Sequence, residues 1–547
     1  MLSAAAGLGL PTAHRVVALC RPAVRWVASA AAVPDPAEPP PRSLSEMPAV
    51  PAYPLVGSMP ALSSLERRHP PLKVANELDQ LLLLLYKEKG EIYSMGLPGL
   101  GSGVRGMTVC TSNPEEFHKV IRTEGEHPYG VIQDQWPTVL ALKSMDSKVM
   151  GFFGQGADWR RFRKVVQKGM MPPLTAKGYL ASISKACEMA SPGAAAHGPN
   201  IADFTMRCSF DIFCSIMFGQ FTGTADPHRP TDPRHERFCR HVMDANEHII
   251  PMLSSPYEYM SNMVLGVPTR RARAVLSNFR AQLGYSNEFV STFVSKWEAG
   301  RLDGFEASSY MAVSLGREAE MELSREELME LNQLLLTAAV DTTSAVLTWA
   351  ILQLAINPRA QATLADELAA SLGGGPITEA MTGRAFLPYL HAVVRECHRM
   401  RPVLPISLFK RTAQPLELCG YAVPEGMPVL LDSFSPQNDP LLVSDPGEFQ
   451  PERWLPDAVQ ARQGTPAEVI DHPFMRGPFS AGARMCPGSR VAQLEVLAML
   501  ARLVQDWEFE VADPGVRSIA DVPYYRGLTV MPTKPAPAVV FQPRARP

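Results

Sequence analysis

Phe479-Ser480-Ala481-Gly482-Ala483-Arg484-Met485-Cys486-Pro487-Gly488 is the stretch whose reading decides the fold. Cys486 lies between Gly482 and Gly488, which let the backbone approach something flat and bulky with no side chain in the way. Directly after it, Val491, Leu494, Leu497, Ala498, Ala501 and Val504 recur at the three-and-four spacing of a buried helix face. The thiol therefore sits just ahead of a helix N-terminus, whose free N–H groups and positive dipole end favour thiolate. Arg484, two residues earlier, is placed to hold an anionic group on the same ligand. A lone cysteine in such a turn is more often an inert buried thiol. The full spacing, from Phe479 to Gly488, argues against that.

These residues suit a haem iron bound by thiolate, with Arg484 on a propionate. The pattern Phe-x-x-Gly-x-Arg-x-Cys-x-Gly resembles the haem-binding loop of the cytochrome P-450 family. The resemblance implies haem b with Cys486 as its axial ligand and Phe479, Gly482, Arg484 and Gly488 around it.

The chain has 547 residues, 46% of them apolar and 20% charged, with a net charge of −3. That describes a globular protein with a large core and gives no sign of a nucleic-acid binder. The nine cysteines are widely spread and contain no Cys-x-x-Cys, which predicts a reducing compartment and no structural zinc. Met1 to Ala32 is alanine-rich, carries Arg15, Arg21 and Arg25, and precedes the first acid, Asp35. This is the composition of a mitochondrial presequence, and it lacks the roughly 20 apolar residues of a membrane anchor. Residues 1–45 are read as presequence and proline-rich lead-in, and 46–547 as one domain.

Downstream, Leu72 to Tyr86 reads as a helix, with short strands near Ile92–Met95 and Met107–Thr111 around a glycine-rich turn at 98–103. Glu124-Gly-Glu-His-Pro128, with Trp136 beyond, resembles mitochondrial members of the family. Those members usually carry a basic residue where this chain has Gly130. Asp158-Trp-Arg-Arg-Phe-Arg163 matches the family's Trp-x-x-x-Arg, whose spacing puts Trp159 and Arg163 on one helical face. Resemblance assigns both to the haem propionates. Arg160, Arg161, Lys164 and Lys168 would add a positive surface or merely solubility. Residues 190–200 and 222–234 read as surface loops. The apolar and aromatic run 251–267, followed by Arg270, Arg271 and Arg273, suits either a membrane-dipping loop or a buried core segment.

The longest helical pattern opens on the capping box Ser324-Arg-Glu-Glu327 and runs to Asn357, roughly 50 Å. Its apolar middle must be buried. A transmembrane helix is the alternative, against which Asp341 would cost about 2.5–3.5 kcal/mol at mid-bilayer. Ala338-Ala-Val-Asp-Thr342 resembles the family's distal helix, where an acid–alcohol pair delivers protons for oxygen activation. Asp341 takes the acid role and Thr342 the alcohol role, with Ala339 where glycine is usual. A hydroxyl at Thr342 is expected to bond back to a helical carbonyl.

Glu396-Cys-His-Arg399, on the helix Tyr389 to Met400, is the family's Glu-x-x-Arg, and Phe449-Gln-Pro-Glu-Arg453-Trp454 supplies the third partner. Such a Glu–Arg–Arg cluster locks the scaffold and needs every charge paired. Arg411 is the expected propionate contact from the segment after Pro402. Resemblance places ferredoxin-facing charges at His391 and Arg395, with Arg490 nearby.

The fold implied is mainly α with a small β portion, a single cytochrome P-450 domain. The implied reaction is monooxygenation of a lipophilic substrate, with O2 and electrons from a ferredoxin. Mitochondrial relatives point to sterols, steroids or secosteroids, with fatty acids as the alternative. The expected setting is a monomer, peripheral on the matrix side of the inner membrane. Three rivals are a microsomal-type enzyme fed by a flavoprotein reductase, a family member that rearranges peroxides without O2 and would not need Thr342, and a non-catalytic haem-thiolate ligand carrier or sensor.

Overall fold

The computed structural model describes residues 40–53, 57–69, 77–96, 107–128, 130, 154, 156–254, 256–259, 261–262, 265–317, 322–404, 408–526 and 529–545. The presequence, the glycine-rich turn at 98–103 and Trp136 lie outside them. The principal helices are α1 (Leu78–Lys89), α2 (Pro114–Arg122), α3 (Gly156–Met170), α4 (Leu180–Ala190), α5 (Ile201–Phe218), α6 (Pro233–Ser254), α7 (Arg270–Glu298), α8 (Arg325–Ile356), α9 (Pro388–Met400) and α10 (Ser489–Asp506). Strands β1 (Ile92–Met95), β2 (Thr108–Thr111), β3 (Leu408–Arg411) and β4 (Pro428–Leu431) form a sheet ordered β1-β2-β4-β3, parallel only between β2 and β4. A hairpin of β5 (Tyr524–Arg526) and β6 (Val530–Pro532) stands apart from it.

Helix α8 starts where its capping box dictates. The Ser324 hydroxyl accepts from the Glu327 N–H at 3.2 Å, and the Glu327 carboxylate accepts from the Ser324 N–H at 2.8 Å. It is the one described helix long and apolar enough to cross a membrane. Here it is the central core element, packed on α5, α7 and α10, with Leu336, Leu347, Ala350 and Ile351 fully enclosed. The predicted apolar face of α10, Val491 to Val504, is likewise buried. The two helices meet across this core, which fixes the cysteine loop at the head of α10 opposite the middle of α8.

Residues 190–200 differ from the predicted loop. They form three short helical turns, Ser191–Gly193, Ala194–His197 and Gly198–Asn200. Gly193 and Gly198 serve close packing there: a Cβ would collide with the carbonyls of Ala225 and Val539. The 222–234 loop is pinned by buried Asp211, which accepts from the Thr224 N–H at 2.9 Å, the Ala225 N–H at 3.0 Å and the Thr222 hydroxyl. In the 251–267 run only some side chains are described. Tyr257, Leu265 and Val267 are 72%, 67% and 58% exposed. Glu258 beneath them is buried, accepting from Asn262 and Thr269.

Candidate active site

The cysteine loop is a tight backbone knot. The Cys486 N–H donates to the Phe479 carbonyl at 2.8 Å and the Met485 N–H to the Gly482 carbonyl at 3.1 Å. Gly482 has φ +75°, a left-handed conformation that favours glycine, and Ser480 adopts φ +61° without that freedom. Burial raises the Cys486 thiol above its ordinary value, outweighing the Gly488 N–H and the Arg163 charge, which lower it. A metal cation bound there would meet Cys486 as thiolate.

Beside the loop lie the predicted cations. Arg163 on α3 is 6% exposed and close enough to Cys486 for their charges to interact. Its Nη2 meets the Met171 thioether at 3.2 Å, and its buried Nε has no hydrogen-bond partner. Trp159, one turn earlier, is buried, with the Arg484 guanidinium stacked 4.1 Å from its ring centroid. Arg484 also donates to the carbonyls of Pro128 at 2.6 Å and Gly154 at 2.9 Å. Its Nη1 lies where a Cβ on Gly130 would come within 2.5 Å, so the space of the usual basic residue is taken by Arg484 itself. On β3, successive side chains point to opposite faces, so Arg411 is turned away from the face of Lys410. Lys410, not singled out from sequence, feels the charges of Arg484 and Arg163.

The four-residue basic run on α3 is mostly neutralised. Arg161 pairs with Glu327 at 2.6 Å, Lys164 with Glu322 at 3.2 Å and Arg160 with Glu126 at 3.4 Å.

On α8 the acid and alcohol are where the sequence put them. Thr342 Oγ1 donates back to the Ala338 carbonyl at 3.2 Å, and the helix stays continuous through it. Asp341 is 4% exposed and lines a cavity of about 420 Å³ with Met206, Met243, Tyr525 and Met531. That cavity reaches Lys534, half of whose side chain is exposed, and so joins the acid to the surface. Thr343, the next residue, donates to Glu495 of α10 at 3.0 Å. Sequence reasoning missed Glu495, because a single acid in an apolar helix pattern gives no sign of burial.

The Glu–Arg–Arg cluster is complete. Glu396 accepts from Arg399 Nε and Nη2, both at 2.9 Å, from Arg453 Nε at 3.0 Å, from the Trp454 indole at 2.8 Å and from the Gln450 N–H at 3.1 Å. Arg399 spends further donors on the Gln437 carbonyl and Asn438. The Trp454 and Gln450 bonds depend on chain geometry that no spacing encodes.

Arg395 is placed differently from its expected partner-facing role. It pairs with Asp471 at 3.1 Å, donates to the Ile470 carbonyl and lies 3.5 Å from the Trp454 ring centroid, with its side chain only 13% exposed. Burial pulls its guanidinium down to about 9. His391 bonds the Thr382 carbonyl. Arg490 is exposed, as are Arg384 and Arg476 beside Arg395.

Residues 48–536 match the cytochrome P450 family, and the chain belongs to it. It is 27% identical over 427 residues to the mitochondrial sterol 26-hydroxylase of Rattus norvegicus, covering 74% of this chain and 75% of that protein. It is 26% identical to the Homo sapiens protein of the same name, again covering 74% and 75%. Ferruginol synthase of Salvia fruticosa is 24% identical over 84% of this chain and 88% of its own length. The protein is a cytochrome P450 monooxygenase.

The residues present fit the family's haem. Arg163 is a buried cation whose Nε has no acceptor, and the missing side chain of Gly488 leaves space beside the Cys486 thiol, whereas Gly482 packs against Glu124. Cys486 would ligate the iron, with Arg163, Trp159 and Arg484 toward the carboxylates. When bound, haem with a thiolate ligand supplies oxygen activation, the thiolate favouring O–O cleavage. Thr342 holds a hydroxyl at mid-α8, and Asp341, one residue earlier, faces the cavity that reaches Lys534.

Proposed function

We propose that this protein is a mitochondrial hydroxylase of sterols, steroids or secosteroids that carries haem b and draws electrons from a ferredoxin. The observation that carries the reading is the set of mitochondrial sterol 26-hydroxylases matched over about three quarters of the chain, with the Asp341–Thr342 pair at mid-α8. A presequence-like N-terminus supports the location. With Arg395 held by Asp471, the ferredoxin would meet Arg490, Arg384 and Arg476, in contacts that weaken with salt. The exposed Tyr257, Leu265 and Val267, flanked by Arg270, Arg271 and Arg273, support peripheral contact with the inner membrane from the matrix side. The matched plant oxygenases, ferruginol synthase and geraniol 8-hydroxylase, favour a terpenoid as second substrate class.

The test is an optical titration of the ferric holoenzyme with sterols, using terpenoids and fatty acids as controls. A saturable high-spin Soret shift with sterols alone supports the proposal. A shift with terpenoids or fatty acids but not sterols overturns the substrate class. Turnover with a flavoprotein reductase but not with a ferredoxin overturns the partner.

A further inference from the structure

Helix α7 has two working faces. One is apolar and packs into the core, with Leu283, Val290, Phe293 and Val294 enclosed. On the other, Tyr285, Glu288, Phe289, Thr292 and Lys296 follow one another at three- and four-residue steps. This second face closes a cavity of about 470 Å³ against the segment after α5, the start of α6 and the helical turn Gly304–Ala307. Small-molecule sites run from about 300 to 1,000 Å³, so the volume suits one. Its lining shares no residue with the cavity at Asp341.

The walls are aromatic. Tyr285 and Phe289 stack with ring centroids 6.1 Å apart, and His235 of α6 stands edge-to-face with both, at 6.0 and 5.9 Å. The His235 Nδ1 and the Tyr285 hydroxyl are buried, and neither has a hydrogen-bond partner among the described residues. In a finished core both would be paired. Burial holds His235 below its ordinary value, so the imidazole is neutral near neutral pH and one of its nitrogens is an acceptor.

The lining is also short of positive charge. Asp232, Glu288, Asp303 and Glu306 face only Arg234 and Lys296, an excess of two negative charges. Both cations are already engaged. Arg234 pairs with Asp232 at 2.6 Å and Glu288 at 3.2 Å, and Lys296 with Glu306 at 2.7 Å. Among the described residues the Asp303 carboxylate accepts only the Glu306 N–H, at 2.8 Å. Aromatic faces and uncompensated carboxylates both attract a cation. A primary ammonium adds three donors, which an imidazole nitrogen and a phenol oxygen can accept.

We propose that this cavity is a second ligand site, apart from the haem site, for a small primary amine bound as its ammonium ion and carried on an aromatic ring. The ring lies against Tyr285 and Phe289, and the ammonium faces the carboxylates. The inference is independent of the sterol reading.

The test is calorimetric titration of the ferric holoenzyme with phenethylamine, with phenethyl alcohol and phenylacetate as neutral and anionic controls. The Soret band is followed in parallel, because an amine on the iron moves it to longer wavelength. Saturable binding of the amine is expected, weakening with salt, with the alcohol roughly tenfold weaker and phenylacetate inert. Tyr285→Phe keeps the ring, removes the hydroxyl and should weaken the amine roughly fivefold. Asp303→Asn changes only an exposed charge and should weaken it while flattening the salt dependence. Thr292→Trp, from the exposed edge of the lining, should fill the cavity and abolish binding with the haem spectrum unchanged. No saturable binding by the parent protein would overturn the proposal. So would equal binding of the alcohol or phenylacetate, undiminished binding by Thr292→Trp, or a Soret shift with the same midpoint as the heat, which would put the amine on the iron.

Discussion

Two buried charge clusters flank the cysteine loop, and they are solved in opposite ways. Around Glu396, one carboxylate accepts from Arg399, Arg453, Trp454 and the Gln450 backbone, and the spare guanidinium donors end on carbonyls. Around Arg163, one guanidinium nitrogen meets the Met171 thioether and the buried Nε has no hydrogen-bond partner among the described residues. The first network is finished by protein alone and belongs to the scaffold. The second leaves the Arg163 Nε open among the described residues, as a site for an anionic ligand would.

The sharpest way to break that comparison is to remove Glu396. Glu396→Ala strands two buried arginines, so about 3–5 kcal/mol of stability should be lost. The loss should be equal with and without haem, as read by denaturant unfolding of both forms. A loss confined to the haem-bound protein would move this cluster into the ligand site.

Glu495 is a third solution to buried charge, in which protonation replaces pairing. Its Oε2 accepts from Thr343 and its buried Oε1 has no partner. Burial lifts it from 4.5 to about 8, with the Cys187 and Cys486 thiols as titratable neighbours. The folded protein therefore binds a proton that the unfolded chain releases. The stability this contributes is full below about pH 4.5 and is lost as pH rises through about 8, on the order of 1.4 kcal/mol per pH unit between. Glu495→Gln should match the parent near pH 4 and exceed it near pH 9, roughly the two ends of that window. Parallel denaturant midpoints at both pH values would remove the protonated acid.

What the sequence made legible follows from how local each signal is. The loop around Cys486, the α8 capping box, the Asp341–Thr342 pair and the apolar face of α10 are written in short spacings, and all stand where those spacings placed them. Lys410, Glu124 and Glu495 were missed because their partners are 152 to 359 residues away. Arg395 misled for the same reason: a basic residue on a short helix looks solvent-facing until Asp471 and Trp454 fold over it.

Arg163 gives the subtlest break in the comparison, because its two effects should have opposite signs. A buried guanidinium with no carboxylate partner among the described residues is a burden on the chain without haem, and burial already draws its pKa down. Arg163→Met replaces it with an apolar side chain of similar length beside Met171, a change that is neutral or stabilising by about 1 kcal/mol when buried charge is removed cleanly. With haem bound, the same change removes a charge-assisted contact and should speed haem loss roughly tenfold. Unfolding of the apoprotein and haem transfer from the holoprotein read the two separately. Opposite outcomes would mean that stability has been given up at Arg163 to hold a ligand, whereas a fall in both would return Arg163 to the scaffold with Arg399 and Arg453.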